Sequence, residues 1–399
     1  MKSNQNSKPQ IFNRSFWLIC VAMLFSRMVM QMQGAVFPLY VTTVLGHSKS
    51  IAGFMSSSAA IAAIIIRPNI GRLIDKGNIK LLFAIGSFMY IAGVLGSGIF
   101  TSVPLLVLFR FIYGIGQATQ GTSGSSAATR LIPESHMREG IGYYGMTASI
   151  TQAIGPSVAL MLIAIMGYRN QFITSTAFML LASIIGMTVN MSPQKTEPVE
   201  MTQTDEIPNV WWQKFVEKTA LPLALIMLTT DMAQVTIGTF LIIRTRELGI
   251  NNIGLFFTTQ AVFAICIRLF GRKLTSGSLE RKAFGATLIG IAAVFVLIFL
   301  STKLWQLVII AAFYGLCTGN YYVTLQTMML MNAPPERRGI ANSTYFLSND
   351  IGVAIGAPLW GLLADNIGTK YIYLLAPIFP IAALIYFTRL SKKLPTSVE

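Results

Sequence analysis

The chain has 399 residues, of which 53% are hydrophobic and only 11% charged, with a mean hydropathy of +0.61. Soluble domains carry about a quarter charged residues, so the composition excludes an ordinary soluble protein and points to a polytopic membrane protein. The net charge of +15 does not mark a nucleic-acid binder, because those proteins gather Lys and Arg on one polar face and here they occupy short gaps between apolar runs.

In chain order, Met1 to Arg14 is polar and basic, and no small-residue cleavage site follows the first apolar run, which is therefore expected to remain as a span. Runs long enough to cross about 30 Å of hydrocarbon fall at 16–44, 51–66, 81–100, 103–128, 141–165, 171–190, 220–243, 253–270, 283–301, 304–331, 339–363 and 371–388. The expected organisation is all-α, with twelve transmembrane helices in two six-helix bundles, residues 1–190 and 220–399, joined by a cytoplasmic linker at 191–219. That linker holds Glu197, Glu200, Asp205, Glu206 and Glu217, and the Trp211-Trp212 pair suits an interfacial anchor. Most of the 30 Lys and Arg lie on the side of the termini, while the opposite loops hold Lys49, Arg169, Arg244, Arg246, Lys303 and Lys370. The positive-inside rule then puts both termini in the cytoplasm of a cell-membrane protein. Cys20, Cys266 and Cys317 lie apart in apolar runs, and His47 and His136 lie in loops. That leaves no metal-ligand spacing, no disulfide framework and no catalytic or cofactor constellation.

The first span carries a charge. Arg27, Gln31, Gly34 and Pro38 recur on one helical face, and a polar stripe in a membrane-length helix reads as the wall of a cavity. Shifted by 204 positions, Gly34 falls on Gly238 and Arg27 on Asp231. Elsewhere the shift is 201: Gly53 repeats as Gly254, Arg67 as Arg268, Tyr113-Gly114 as Tyr314-Gly315, and Ala153-Ile154-Gly155 as Ala354-Ile355-Gly356. Two parallel repeats enclosing a midplane site are a transporter plan.

Between spans 2 and 3, Gly71, Leu73, Asp75 and Lys76 resemble the signature of the major facilitator superfamily, with the second glycine one residue early at Gly77. The resemblance implies a latch in which Asp75 docks on the start of span 11, near Gly339. Arg110, Tyr113 and Gln117 in span 4 are similar to the family's fourth-span arginine motif, which is implicated in proton coupling. Gly155-Pro156 in span 5 resembles the antiporter motif of drug exporters, with Thr151, Ala159 and Leu160 where glycines are usual. Gly356 and Pro358 are its counterpart in span 11. Glycine permits close backbone approach and proline bends a helix, so Gly71, Asp75, Gly155, Pro156, Gly356 and Pro358 are the expected gating positions. The chain is thus identified as similar to the twelve-span drug:proton antiporter branch.

Of fifteen acids, all but Asp231 and Asp350 fall in loops or tails. A carboxylate at the bilayer centre costs on the order of 2.5–3.5 kcal/mol, and competition between burial and a nearby cation decides whether it holds a proton. Asp231 and Asp350, with Arg110, are the expected proton-coupling residues; an aspartate can carry the proton, an arginine cannot. Arg27, Gln31, Arg110, Tyr113 and Gln117, with Asn320, Tyr321 and Thr324 in span 10, are the expected substrate contacts. Two cations in one half and two anions in the other suit a zwitterionic or carboxylate-bearing solute. The expectation is proton-driven export of a small organic solute, drug-like or a metallophore, by a monomer in the bilayer that uses the proton gradient and no cofactor. Proton-linked uptake of an organic anion is the rival, and a lipid scramblase a weaker one.

Overall fold

The computed structural model describes residues 13–75, 79–132, 136–191, 216–270, 279–334 and 337–391. In the front half, α1 runs Arg14–Thr43, α2 Lys49–Asp75, α3 Ile79–Ile99, α4 Val103–Arg130 and α5 Met137–Thr188. α5 supplies two spans, because Gly167 at φ 77° breaks it. In the rear half, α6 (Leu221–Val235), a π turn at Thr236–Phe240 and α7 (Leu241–Glu247) make one span. It is followed by α8 (Gly254–Phe270), α9 (Leu279–Leu300), α10 (Leu304–Met331) and α11 (Arg338–Ile367), then α12 (Ile372–Leu375) with α13 (Ile378–Ser391). Among the described residues nine helical segments are long and apolar enough to cross a membrane. α5 counts twice, and α8 and α4 complete the twelve. α4 falls short of that measure because its second half is rich in Gly, Ser and Thr.

Those small residues have a packing role. A Cβ on Gly114 would collide with the Ala59 carbonyl of α2, and one on its repeat partner Gly315 with the Gln260 carbonyl of α8. Gly155 lies against Gln31 of α1, and its partner Gly356 against Met232 of α6. Contacts repeat with the same shift as the sequence, so two lobes of one design are present. Buried apolar side chains between Phe16 and Met191 fill the front lobe, and those between Ala220 and Phe387 fill the rear lobe, joined by Ala35 and Leu39 of α1.

The lobes are joined at the end where α1 meets α2, here termed the crown. Gly53 of α2 abuts the Ala357 carbonyl of α11, and Ser57 Oγ donates to the Ala354 carbonyl at 2.9 Å. The pseudo-symmetric crossing joins Ser157 Oγ of α5 to the Gly254 carbonyl at 2.7 Å and to Thr258 Oγ1 at 2.6 Å. Asp365 of α11 accepts from the Lys49 and Ser50 backbone N–H groups at 3.0 and 2.7 Å, so one lobe caps a helix start of the other and satisfies its unpaired donors. Lys49 Nζ also meets Glu247 Oε1 at 2.6 Å. These contacts explain why α2 and α11 run beyond their apolar cores.

At the opposite end, the base, the Glu217 N–H donates to Thr344 Oγ1 at 2.9 Å, and the Glu217 carboxylate accepts from Thr219 and pairs with Arg337. Burial pushes this carboxyl up, but the Arg337 and Thr219 hydrogen bonds outweigh it and hold Glu217 below its ordinary value. A depressed carboxylate contributes stability above its unfolded pKa of about 4.3, and that contribution is lost as pH falls through the lower folded value. E217Q is therefore expected to melt below the parent at pH 7, with the gap closing in acid; a gap independent of pH in detergent melting curves contradicts this. Overpacking typically costs about 1–3 kcal/mol, so G114V and G315V should each destabilise by that order in denaturant titrations, and to a similar degree.

Candidate functional site

The polar and charged side chains inside the bundle form separate sets. In the front lobe, Arg27 of α1 turns to α5: Nη1 donates to Thr147 Oγ1 at 2.7 Å and to the Tyr144 carbonyl at 3.3 Å, and the guanidinium lies 4.4 Å from the Tyr144 ring centre. Gln31 of the same stripe packs on Gly155, and Pro38 is buried. Much of the face expected to line a cavity is thus covered by α5. Gly34, and Gly238 at the matched place in the rear lobe, are both exposed and open.

A second stripe of α1, at Ser26, Met30 and Phe37, faces α4. Ser26 Oγ donates to Gln120 Oε1 at 2.7 Å, and Gln117 Nε2 reaches Met30 Sδ at 2.8 Å. Arg110 sits 4.2 Å from the Phe37 ring centre and 4.3 Å from that of Tyr113, which itself meets Tyr90 edge to face. Arg110 is buried, 6% exposed, and its Nε and Nη1 have no hydrogen-bond partner among the described residues. Two aromatic faces offset part of the cost of burying it. Of the three expected on one face, Arg110 and Tyr113 are in contact, and Gln117 meets Met30 of α1.

In the rear lobe, Asp231 of α6 is 2% exposed. It accepts from Asn349 Nδ2 at 2.7 Å, Gln234 Nε2 at 3.1 Å and the Tyr322 hydroxyl at 3.3 Å. Tyr314, the repeat partner of Tyr113, donates to Gln234 Oε1 at 2.8 Å. No cation pairs with Asp231 among the described residues. Arg27 and Asp231, matched in the sequence by a shift of 204, have different partners, and the contacts of α1 and α6 keep the shift of 201, with Gln31 on Gly155 and Met232 on Gly356.

Asp350 of α11 instead pairs across the lobes with Arg67 of α2, Nε to Oδ2 at 2.5 Å, with both side chains largely buried. Arg27, Arg110, Asp231 and Asp350, expected as substrate and proton-coupling residues, are not in contact with one another among the described residues. Each buried charge is held by its own nearest partners, because direct contacts offset desolvation better than distant charges do. Asn320 of α10 donates to Thr287 Oγ1 of α9 at 2.9 Å and accepts from Thr324 at 3.0 Å. Tyr321 is buried against Phe284, and the neighbouring Tyr322 is the one that reaches Asp231. The side chains of Gly71 and Asp75, with Lys76 to Asn78, lie outside the described residues. Pro156 is buried next to the Ser157 crossing, and Pro358 lies beside Gly53.

Sequence reasoning missed Asn349, Tyr322 and the pairing of Arg67. Asn349 sits beside a singled-out acid, and Arg67 stood out as a repeated residue. A partner search on either would have found them.

Two pseudo-symmetric six-span lobes, with charged side chains buried within and between them, define a transporter fold. The Major Facilitator Superfamily profile matches residues 19–276 and 223–398, and the chain belongs to that family. It is 24% identical over 354 residues to the staphylopine export protein of Staphylococcus aureus, covering 86% of this chain and 87% of that one. It is also 24% identical over 379 residues to the MFS-type transporter YhhS of Escherichia coli K12, covering 91% and 89%. Among solved structures it is similar to the nucleoside transporter NupG, with TM-score 0.74, 13% identity and coverage of 95% and 100%. It also resembles a POT family transporter in complex with 5-aminolevulinic acid, with TM-score 0.76, 15% identity and coverage of 95% and 96%.

Removing one partner of a buried ion pair costs about 3–5 kcal/mol, whereas replacing both with apolar groups is often neutral. R67M and D350M are therefore expected to lower stability far more singly than together, as measured by a double-mutant cycle of unfolding free energies. Additive losses contradict the pairing.

Proposed function

We propose that the chain is a proton-coupled exporter of a small organic solute bearing a carboxylate, drug-like, zwitterionic or of the metallophore kind, working by alternating access. The observation that carries this reading is Asp231: a buried carboxylate held by an amide from each of Asn349 and Gln234 and by the Tyr322 hydroxyl, with no cation against it among the described residues. A statically paired acid has nothing to gain from a proton. An acid surrounded by neutral groups changes the charge of its surroundings when it takes one, which is what coupling requires. Proton entry down the electrical gradient supplies about 2.3 kcal/mol per 100 mV.

Arg110, buried over two rings with two unpartnered donors, is the front-lobe cation that pulls the other way. Similarity to a staphylopine export protein over most of the chain supports export, and supports a metallophore or related metabolite as cargo. The distribution of Lys and Arg supports a cytoplasmic base in the cell membrane.

In proteoliposomes with an imposed proton gradient, D231N should lose gradient-driven accumulation at least tenfold while solute binding changes less than threefold. Wild-type accumulation by D231N, still abolished by an uncoupler, overturns the assignment.

A further inference from the structure

Four residues at the seam between the lobes obey the repeat. Arg67 of α2 corresponds to Arg268 of α8, and Asp350 of α11 corresponds to Ser149 of α5, both by the same shift of 201. Both arginines cross from one lobe to the other. Arg67 reaches Asp350, and Arg268 Nη1 donates to Ser149 Oγ, with Nε at 3.4 Å from the Gly319 carbonyl. The two crossings use matching positions and differ in charge. One closes on a carboxylate, while the other sets a full positive charge against a buried neutral hydroxyl, and Arg268 has no ion pair among the described residues.

The surroundings of Arg268 bear on what completes it. Its hydrogen-bond partners among the described residues are one hydroxyl from the front lobe and one peptide carbonyl from its own. A guanidinium presents a planar fork that a carboxylate matches with two parallel hydrogen bonds, which neither a serine hydroxyl nor a peptide carbonyl can do.

We propose that Arg268 takes the carboxylate of the transported solute, which fills at the α5–α8 crossing the place that Asp350 fills at the α2–α11 crossing. Ser149 belongs to the front lobe and Arg268 to the rear, so a carboxylate held there joins the lobes. The solute supplies the missing half of a latch whose other copy is permanent. Arg268 is then a specificity-determining residue, and Ser149 is the residue whose neutrality leaves the place open. The inference rests on the reading of the solute as a carboxylate.

The test is binding to the purified full chain in lipid nanodiscs, read by melting temperature and titration. The probes are 5-aminolevulinic acid and its methyl ester, with glycine and citrate as further carboxylates. Wild type should bind at least one of the carboxylates and, in the matched pair, favour the acid over the ester. R268Q should weaken carboxylate binding about tenfold or more and erase that preference, whereas R268K, which keeps the charge without the fork, should fall between. S149D should melt above wild type without ligand, because it closes its own ion pair, and should no longer respond to carboxylates. This second variant guards against a folding defect in R268Q. If wild type shows the preference and R268Q retains it, the assignment of Arg268 is overturned while the carboxylate reading stands. If wild type responds to none of the carboxylates, or to acid and ester alike, both fall.

Discussion

The cost of taking a charge out of water governs where every ionisable side chain inside this bundle is found. Without water to solvate it, a buried charge must be met by a counter-ion, a dipole or an aromatic face within a few ångströms. The protein uses all three. Arg67 and Asp350 meet each other, Asp231 meets amides and a phenol, and Arg110 meets the faces of Phe37 and Tyr113. The first arrangement is static in charge and ties two lobes together. The other two leave a charge without a counter-ion among the described residues, which a proton or a solute can address, and the transport reading is built on that difference.

The scaffold behind these sets is duplicated closely enough that its contacts repeat with its sequence. Gly114 on Ala59 becomes Gly315 on Gln260, and Gly155 on α1 becomes Gly356 on α6. Where the two copies agree, the residues are small and the role is close packing. Where they disagree, chemistry enters: Ser149 stands against Asp350. A duplicated bundle with identical charges in both halves would have no polarity across its seam, and a carboxylate in only one of two related places supplies one.

Fold and repeat were legible because apolar run length and a constant shift are one-dimensional signals. The charged set was legible in part: Arg27, Arg110, Asp231 and Asp350 stood out inside apolar runs, whereas Arg67 and Arg268 stood out only as repeated residues. A helical stripe such as Arg27-Gln31-Gly34-Pro38 specifies a face but not the neighbour it meets; here α5 covers Arg27 and Gln31, while Gly34 stays open. Adjacent tyrosines such as Tyr321 and Tyr322 point about a hundred degrees apart on a helix, and only packing decides that Tyr322 meets the acid. The pairing of Arg67 was hidden for a simpler reason. It lies at the end of an apolar run, where a basic residue reads as an interfacial charge, and only the course of α2 beyond it brings it beside α11.

The central claim is that Asp231 exchanges its proton as solute binds. The direct measurement is proton release from the detergent-solubilised protein on solute addition, followed with a pH indicator in weakly buffered solution. The account predicts release of about one proton per solute bound by the wild type, and none by D231N at matched occupancy. Equal release from both proteins, or no release from wild type with solute bound, contradicts it.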